Sequence, residues 1–192
     1  MRDYIYVYMK ESAVHVLGPG LRYVLWVQGC EQRCSGCIAE GAQNMEKGTP
    51  IGIDALATEI ILSKANGLTI SGGEPFLQAK ELAKMLDMIS RKKDMGVIVY
   101  TGYIYEDLEK NSDAKMLLSK IDLLIDGPYI RHLDDRKSLR GSSNQRIIPL
   151  TDRYKDYLSE YGTGQRLTES FYHGIHVHEI GIPNNIINQE DN

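Results

Sequence analysis

Tyr23-Val24-Leu25-Trp26-Val27-Gln28-Gly29-Cys30-Glu31-Gln32-Arg33-Cys34-Ser35-Gly36-Cys37 joins an apolar strand to a loop holding all three cysteines of the 192-residue chain. No cysteine remains elsewhere to form a disulfide. Thiolates are soft ligands that select zinc, copper(I) or iron–sulfur clusters, so three in one loop at a strand end make a metal centre the leading expectation. A cubane 4Fe-4S cluster held by three cysteines leaves one iron open to a substrate or cofactor. Zinc would need a fourth ligand, which His132, His173, His176 or His178 supplies only by folding back, and a second C-x-x-C knuckle is absent.

Outward from this stretch the chain alternates strand and helix. Upstream, Tyr4 to Tyr8 reads as a strand, and Gly18-Pro19-Gly20 as the turn that launches Leu21–Gln28. Downstream, Ile53, Leu56, Ala57, Ile60 and Ile61 follow helical spacing, with Asn66-Gly67 as the stop. Leu68-Thr69-Ile70 is a buried strand ending at Ser71-Gly72-Gly73-Glu74-Pro75, and Leu82, Met85, Leu86 and Ile89 mark a second helix. Val97–Tyr100 is a strand ending at Thr101-Gly102-Tyr103. A helix around Asp113–Lys120 leads to the strand Leu123-Leu124-Ile125, followed by Asp126-Gly127-Pro128. Strands separated by helices imply parallel pairing and ligands gathered at the strands' carboxyl ends. The cysteine loop, Gly72–Glu74, Thr101–Tyr103 and Asp126-Gly127 are therefore expected around one mouth of a barrel or sheet.

Composition excludes several classes. With 42% hydrophobic and 25% charged residues the chain reads as one globular domain over 1–192, and a formal net charge of −4 leaves no electrostatic footprint for nucleic acid. No apolar run approaches the roughly 20 residues of a spanning helix, and the start of the chain lacks a signal peptide's apolar stretch. A membrane partner is not expected, and a reducing, cytoplasmic setting is. Gly18-Pro19-Gly20 precedes a strand rather than linking strand to helix, so it is no dinucleotide-binding loop.

The Cys-x3-Cys-x2-Cys pattern resembles the cluster motif of the radical S-adenosylmethionine superfamily, and Ser71-Gly72-Gly73-Glu74 resembles its second motif. The resemblance implies a 4Fe-4S cluster on Cys30, Cys34 and Cys37, with S-adenosylmethionine chelating the fourth iron near Gly72, Gly73 and Glu74. Reductive cleavage of the sulfonium to a 5′-deoxyadenosyl radical is the implied chemistry, and no general-base dyad or nucleophilic triad is evident or needed. Six landmarks in order narrow the likeness: Gly18–Arg22, the cysteine motif, Ser71–Pro75, Tyr100–Tyr103, Leu124–Pro128 and Arg140–Gln145. Together they look like the anaerobic ribonucleotide reductase activating proteins, which place a radical on a glycine of a large partner enzyme.

By that resemblance Thr101, Tyr103, Asp126, Ser142 and Asn144 are cofactor-side candidates, with Asp126 equally suited to a turn. The fold expected is α/β, a partial (βα)6 barrel of mainly parallel strands with residues 151–192 as a C-terminal extension. A flavodoxin or ferredoxin is the implied electron donor, since the chain carries no flavin or nicotinamide fingerprint. Gly36 stands just before the third cysteine, where many superfamily members place an aromatic near adenine, and Ile38 after it is not aromatic either, so adenine is expected to rest on backbone and other strands. Two other readings stay open: a radical enzyme acting on a small molecule or peptide, and a non-catalytic zinc-binding module. Ile175–Ile180 is expected as a late or edge strand, its histidines structural or at the surface, and Asn188–Asn192 as a frayed end.

Overall fold

The computed structural model describes residues 2–184. Seven strands form the main sheet: β1 (Tyr4–Val14), β2 (Arg22–Val27), β3 (Thr49–Gly52), β4 (Gly67–Gly72), β5 (Gly96–Tyr100), β6 (Leu123–Asp126) and β7 (Arg146–Pro149). Their spatial order is β3-β1-β2-β4-β5-β6-β7. Only β2, β4, β5 and β6 run parallel; β1 is antiparallel to β2, β3 to β1, and β7 to β6. The α/β sheet with a mainly parallel centre is as expected, but the parallel run holds four strands with antiparallel flanks rather than six repeats, and among the described residues β3 and β7 do not meet to close a barrel. Connections explain the difference. A helix bridges each pair of successive parallel strands, whereas the β1–β2 link is a Gly-Pro-Gly turn and the β6–β7 link is a loop with a single 3-10 turn at Arg131–Leu133.

The helices are α1 (Ile53–Leu62), α2 (Ala79–Ser90), α3 (Tyr105–Leu108) and α4 (Ser112–Leu118). Asn111 caps α4, its side-chain oxygen accepting from the amides of Asp113 and Ala114 at 2.9 and 3.0 Å. Each helix turns its apolar stripe to one face of the sheet, where Leu56, Ile60, Leu82, Met85 and Leu117 bury completely against Leu25, Leu68, Ile70 and Leu124. Truncating any of these to alanine is expected to cost about 2–5 kcal/mol. No helix among the described residues is long and apolar enough to cross a membrane.

The other face receives the chain after β7. A 3-10 stretch at Asp152–Tyr157 leads to α5 (Leu158–Thr163), and Tyr154 and Tyr161 pack on Ile98, Leu123 and Ile125. Beneath them Arg22 is fully buried and donates to the carbonyls of Pro19, Leu68 and Gly96 and to Tyr154 Oη, tying the amino ends of the parallel strands together. The chain then forms the hairpin of β8 (Thr168–His173) and β9 (His176–Gly181). Val14, Leu17, Val24, Trp26 and Ile180 make its small core. The segment expected as a late or edge strand forms one, as the second arm of a separate hairpin; the expected frayed end at Asn188–Asn192 lies outside the described residues.

Candidate metal and cofactor site

The carboxyl ends of the parallel strands converge on a cavity of about 400 Å³. Cys30, Cys34 and Cys37 lie in its wall, all three free, Cys30 buried and the other two half-buried. The wall also holds Ser71–Glu74 from the end of β4, Thr101 and Gly102 after β5, and Gly127, Gly141 and Gln145 from the loop after β6. The thiol loop is seated by backbone bonds: Gly29 N donates to Ala42 O at 2.7 Å and Cys30 N to Gln43 O at 3.1 Å. Burial pushes the Cys30 and Cys34 thiols above their usual range, and the charge of Glu74 adds to the effect. Burial thus holds these two thiols toward the neutral form until a metal takes them as thiolates.

The glycines of Ser71-Gly72-Gly73-Glu74 serve the backbone first. A Cβ on Gly73 would stand 2.2 Å from Gly29 O, and one on Gly72 2.5 Å from Val27 N. Without them the strand end could not lie against the cysteine loop, where Gly73 N donates to Val27 O at 2.8 Å and Glu74 N to Gly29 O at 2.7 Å. Glu74 is 1% exposed, and its carboxylate accepts three bonds: from Phe76 N at 2.9 Å and Thr101 Oγ1 at 2.8 Å on one oxygen, and from Gly102 N at 2.8 Å on the other. Burial raises its pKa to about 7 against the pull of those three donors. Glu74 is thus a brace between the β4 and β5 loops that also faces the cavity.

Other candidates separate on inspection. Thr101 lines the cavity, whereas the wall does not include Tyr103, whose amide donates to Thr101 Oγ1 at 3.1 Å and whose carbonyl accepts from Gly127 N at 2.9 Å. Asp126 is not in the wall either. Its carboxylate accepts from Tyr105 N at 2.8 Å and pairs with Arg146, so of its two expected uses the structural one is what the geometry displays. Ser142 Oγ accepts from Ile130 N at 3.1 Å and Asn144 Nδ2 donates to Pro128 O at 2.8 Å, shaping the loop whose Gly141 and Gln145 reach the cavity.

The residues present fit a cluster with a polar ligand. Among the described residues, no three His, Cys, Asp or Glu side chains are gathered as ligands of one ion. Three soft, free thiols lining one cavity suit an iron–sulfur cluster that would take its remaining ligand from a cofactor. Tyr100 lines the cavity wall, and its hydroxyl is buried without a hydrogen-bond partner. Sequence reasoning missed Trp26, Tyr129 and β9 from Val177 onward as wall residues. For Trp26 the signal was present, since it alternates with Leu25 and Val27 in the strand that feeds the cysteine loop.

Residues 16–148 match the family model described as a 4Fe-4S single cluster domain. The chain is 34% identical over 143 residues to the anaerobic ribonucleoside-triphosphate reductase-activating protein of Enterobacteria phage T4, covering 71% of this chain and 89% of that protein. It is also 34% identical over 149 residues to the protein of that name from Vibrio cholerae, covering 71% and 92%. The Escherichia coli K12 protein of the same name is 31% identical over 141 residues, covering 68% and 89%. Among solved structures, QueE from Escherichia coli aligns over 53% of this chain and 54% of that one, with a TM-score of 0.45 and 14% identity.

Proposed function

The chain belongs to the family of anaerobic ribonucleoside-triphosphate reductase-activating proteins, and from that premise we propose that it installs a glycyl radical on an anaerobic ribonucleotide reductase. It is a radical S-adenosylmethionine enzyme whose cofactors are a 4Fe-4S cluster and S-adenosylmethionine. When bound, these supply one-electron cleavage of the sulfonium and the power to abstract a hydrogen atom. The observation that carries the reading is the convergence of three free thiols with the Gly72–Glu74 and Thr101–Gly102 turns on one cavity wall.

The protein's own work is holding and shielding. Cys30, Cys34 and Cys37 would ligate the cluster, and the Gly72–Glu74 turn, fixed to the thiol loop by two backbone bonds, would keep the methionine end of the cofactor in register with it. Glu74 carries that register to Thr101 and Gly102, so three strand ends move as one body. Leu17, Trp26 and Ile180 give the cavity an apolar side that excludes water. The electron would come from a flavodoxin or ferredoxin.

The test is direct. Anaerobically reconstituted protein, supplied with a reductant, S-adenosylmethionine and the partner reductase, should raise a glycyl-radical resonance that Cys34→Ala abolishes. Cofactor cleavage without any radical on the reductase would refute the activase reading.

A further inference from the structure

The family match ends at residue 148, yet the cavity wall does not. Seven consecutive residues, Val177 to Pro183, line it. A strand that turned one face to a space would contribute alternate residues, because successive side chains point to opposite sides. An unbroken run is what a strand shows when it lies edge-on.

That edge is free. β9 pairs with β8 in register His173–His176, Tyr172–Val177, Phe171–His178, Ser170–Glu179 and Glu169–Ile180. The loop is two residues, Gly174-Ile175, with Gly174 at φ +64°, so His173 and His176 flank it as a hydrogen-bonded pair. Bonded and non-bonded pairs alternate, which turns the peptide groups of His178 and Ile180 to β8 and those of Val177 and Glu179 outward. Among the described residues no backbone group bonds to those two positions from the open side.

The hairpin is also firmly seated. Glu169 on β8 accepts from His15 N at 2.7 Å, and Ile180 is buried with Trp26. Just before β8, the fully buried Arg166 side chain donates to the carbonyls of Arg140 and Gly141, both at 2.8 Å, and to that of Pro183 at 3.2 Å, and it pairs with Asp134. One guanidinium thus joins the cofactor-side loop to the chain just past β9.

We propose that the free edge of β9 receives the glycine-bearing segment of the partner enzyme as an added, extended strand laid across the cavity mouth. This rests on the glycyl-radical reading, under which a stretch of partner backbone must enter the site. An unpaired edge recognises extended backbone by its main-chain groups, and a glycine brings no side chain to keep that backbone at a distance. The extension is therefore a specificity element that selects an unfolded segment over a folded surface.

The experiment uses protein carrying the oxidised cluster and S-adenosylmethionine, without reductant, and a synthetic peptide spanning the partner's radical-bearing glycine. Peptide should slow amide exchange at Val177 and Glu179 and leave His178 and Ile180, already bonded to β8, unchanged. Glu179→Pro removes one edge N–H without breaking the β8 ladder, and should weaken peptide binding about tenfold with Trp26 emission unaltered. Glu179→Gln keeps the N–H and should bind as the native protein does. If Glu179→Pro shifts Trp26 emission, Val177→Pro carries the same comparison. Peptide binding equal in native and edge-proline proteins, absent from the native protein, or slowing exchange elsewhere but not at 177 and 179, overturns the proposal. Because no turnover is involved, a missing glycyl radical on the intact reductase counts against the activase reading alone.

Discussion

Thr101 Oγ1 donates to Glu74 Oε1 at 2.8 Å, so a hydroxyl at the end of β5 is spent on a carboxylate at the end of β4. With Gly102 N on the other oxygen, this pair holds two cofactor loops at a fixed separation. Glu74→Gln turns one carboxylate oxygen into an amide donor facing donors already in place, which is expected to cost about 1–3 kcal/mol. Thr101→Val removes the bond to Glu74 and the one Thr101 Oγ1 accepts from Tyr103 N, and should cost about 1–3 kcal/mol. Urea unfolding of the cluster-free protein measures both, and equal stability of Glu74→Gln and native protein would contradict the brace.

The same carboxylate predicts a pH dependence. Its folded pKa, about 7, lies above the ordinary value of 4.5, so folding favours the protonated form. That contribution is fully present below about pH 4.5 and fades as pH rises through 7. Cluster-free native protein should lose stability across that window and level off above it, and Glu74→Gln should flatten the slope.

At the outer end of β6 the sign reverses. Arg146 bridges buried Asp126 and exposed Glu106, with Nη1 and Nη2 at 2.8 and 2.7 Å from the Glu106 oxygens. The guanidinium holds Glu106 down to about 2, below its ordinary 4.5, so this contribution is present above pH 4.5 and lost as pH falls toward 2. Arg146→Ala leaves Asp126 buried and unpaired. Because Arg146 is itself 46% exposed, the cost should be about 2–3 kcal/mol, short of that for a fully buried pair. Glu106→Gln should be much milder, and unfolding midpoints at pH 7 and pH 3 separate the two.

These elements also mark where the sequence was readable. Helical spacing at Ile53–Ile61 and Leu82–Ile89 and the buried runs at Leu68–Ile70 and Val97–Tyr100 announced their elements, because periodicity is local and burial on one side fixes it. β3, with Thr49-Pro50-Ile51-Gly52, carries no such pattern: it is an edge strand made by pairing with Tyr4–Val7. The antiparallel course of β7 likewise follows from the length and shape of a loop, not from Arg146-Ile147-Ile148. In the site, the thiols and the Gly-Gly-Glu turn were legible from residue type and spacing. Tyr103, Asp126, Ser142 and Asn144 were placed by motif order, which locates a loop but not which of its side chains face inward. β9 in the wall was not legible at all, since Val177 to Pro183 reach the cavity through contacts more than a hundred residues distant in sequence.

Thiol accessibility gives a third check. In cluster-free protein Cys30 is 9% exposed and Cys34 and Cys37 are half-buried, so an alkylating reagent should modify the latter two first and Cys30 most slowly. Loading the cluster should protect all three. Continued alkylation of any one at its cluster-free rate would show that it is not a ligand.

Arg166 supplies the last expectation, because its guanidinium lies at 0% side-chain exposure with Asp134 at 2.8 Å and three carbonyls around it. Arg166→Ala orphans those acceptors and leaves Asp134, 16% exposed, without its buried partner, at an expected cost of about 3–5 kcal/mol. The loss should first be felt where Arg166 acts, at Pro183 and the end of β9, before the helices on the opposite face notice it. Trp26, the single tryptophan, packs in the same small core as Ile180 and reports that region selectively. Its emission should shift to the red and become open to acrylamide in Arg166→Ala at temperatures where the far-ultraviolet circular dichroism is still native. Arg166→Lys keeps the charge but not the fork, so it should retain the Asp134 pair, lose carbonyl bonds and fall between the two. Coincident loss of tryptophan burial and helical signal in both variants would mean that the extension is an inseparable part of the sheet's own folding unit, not a wall fastened onto it.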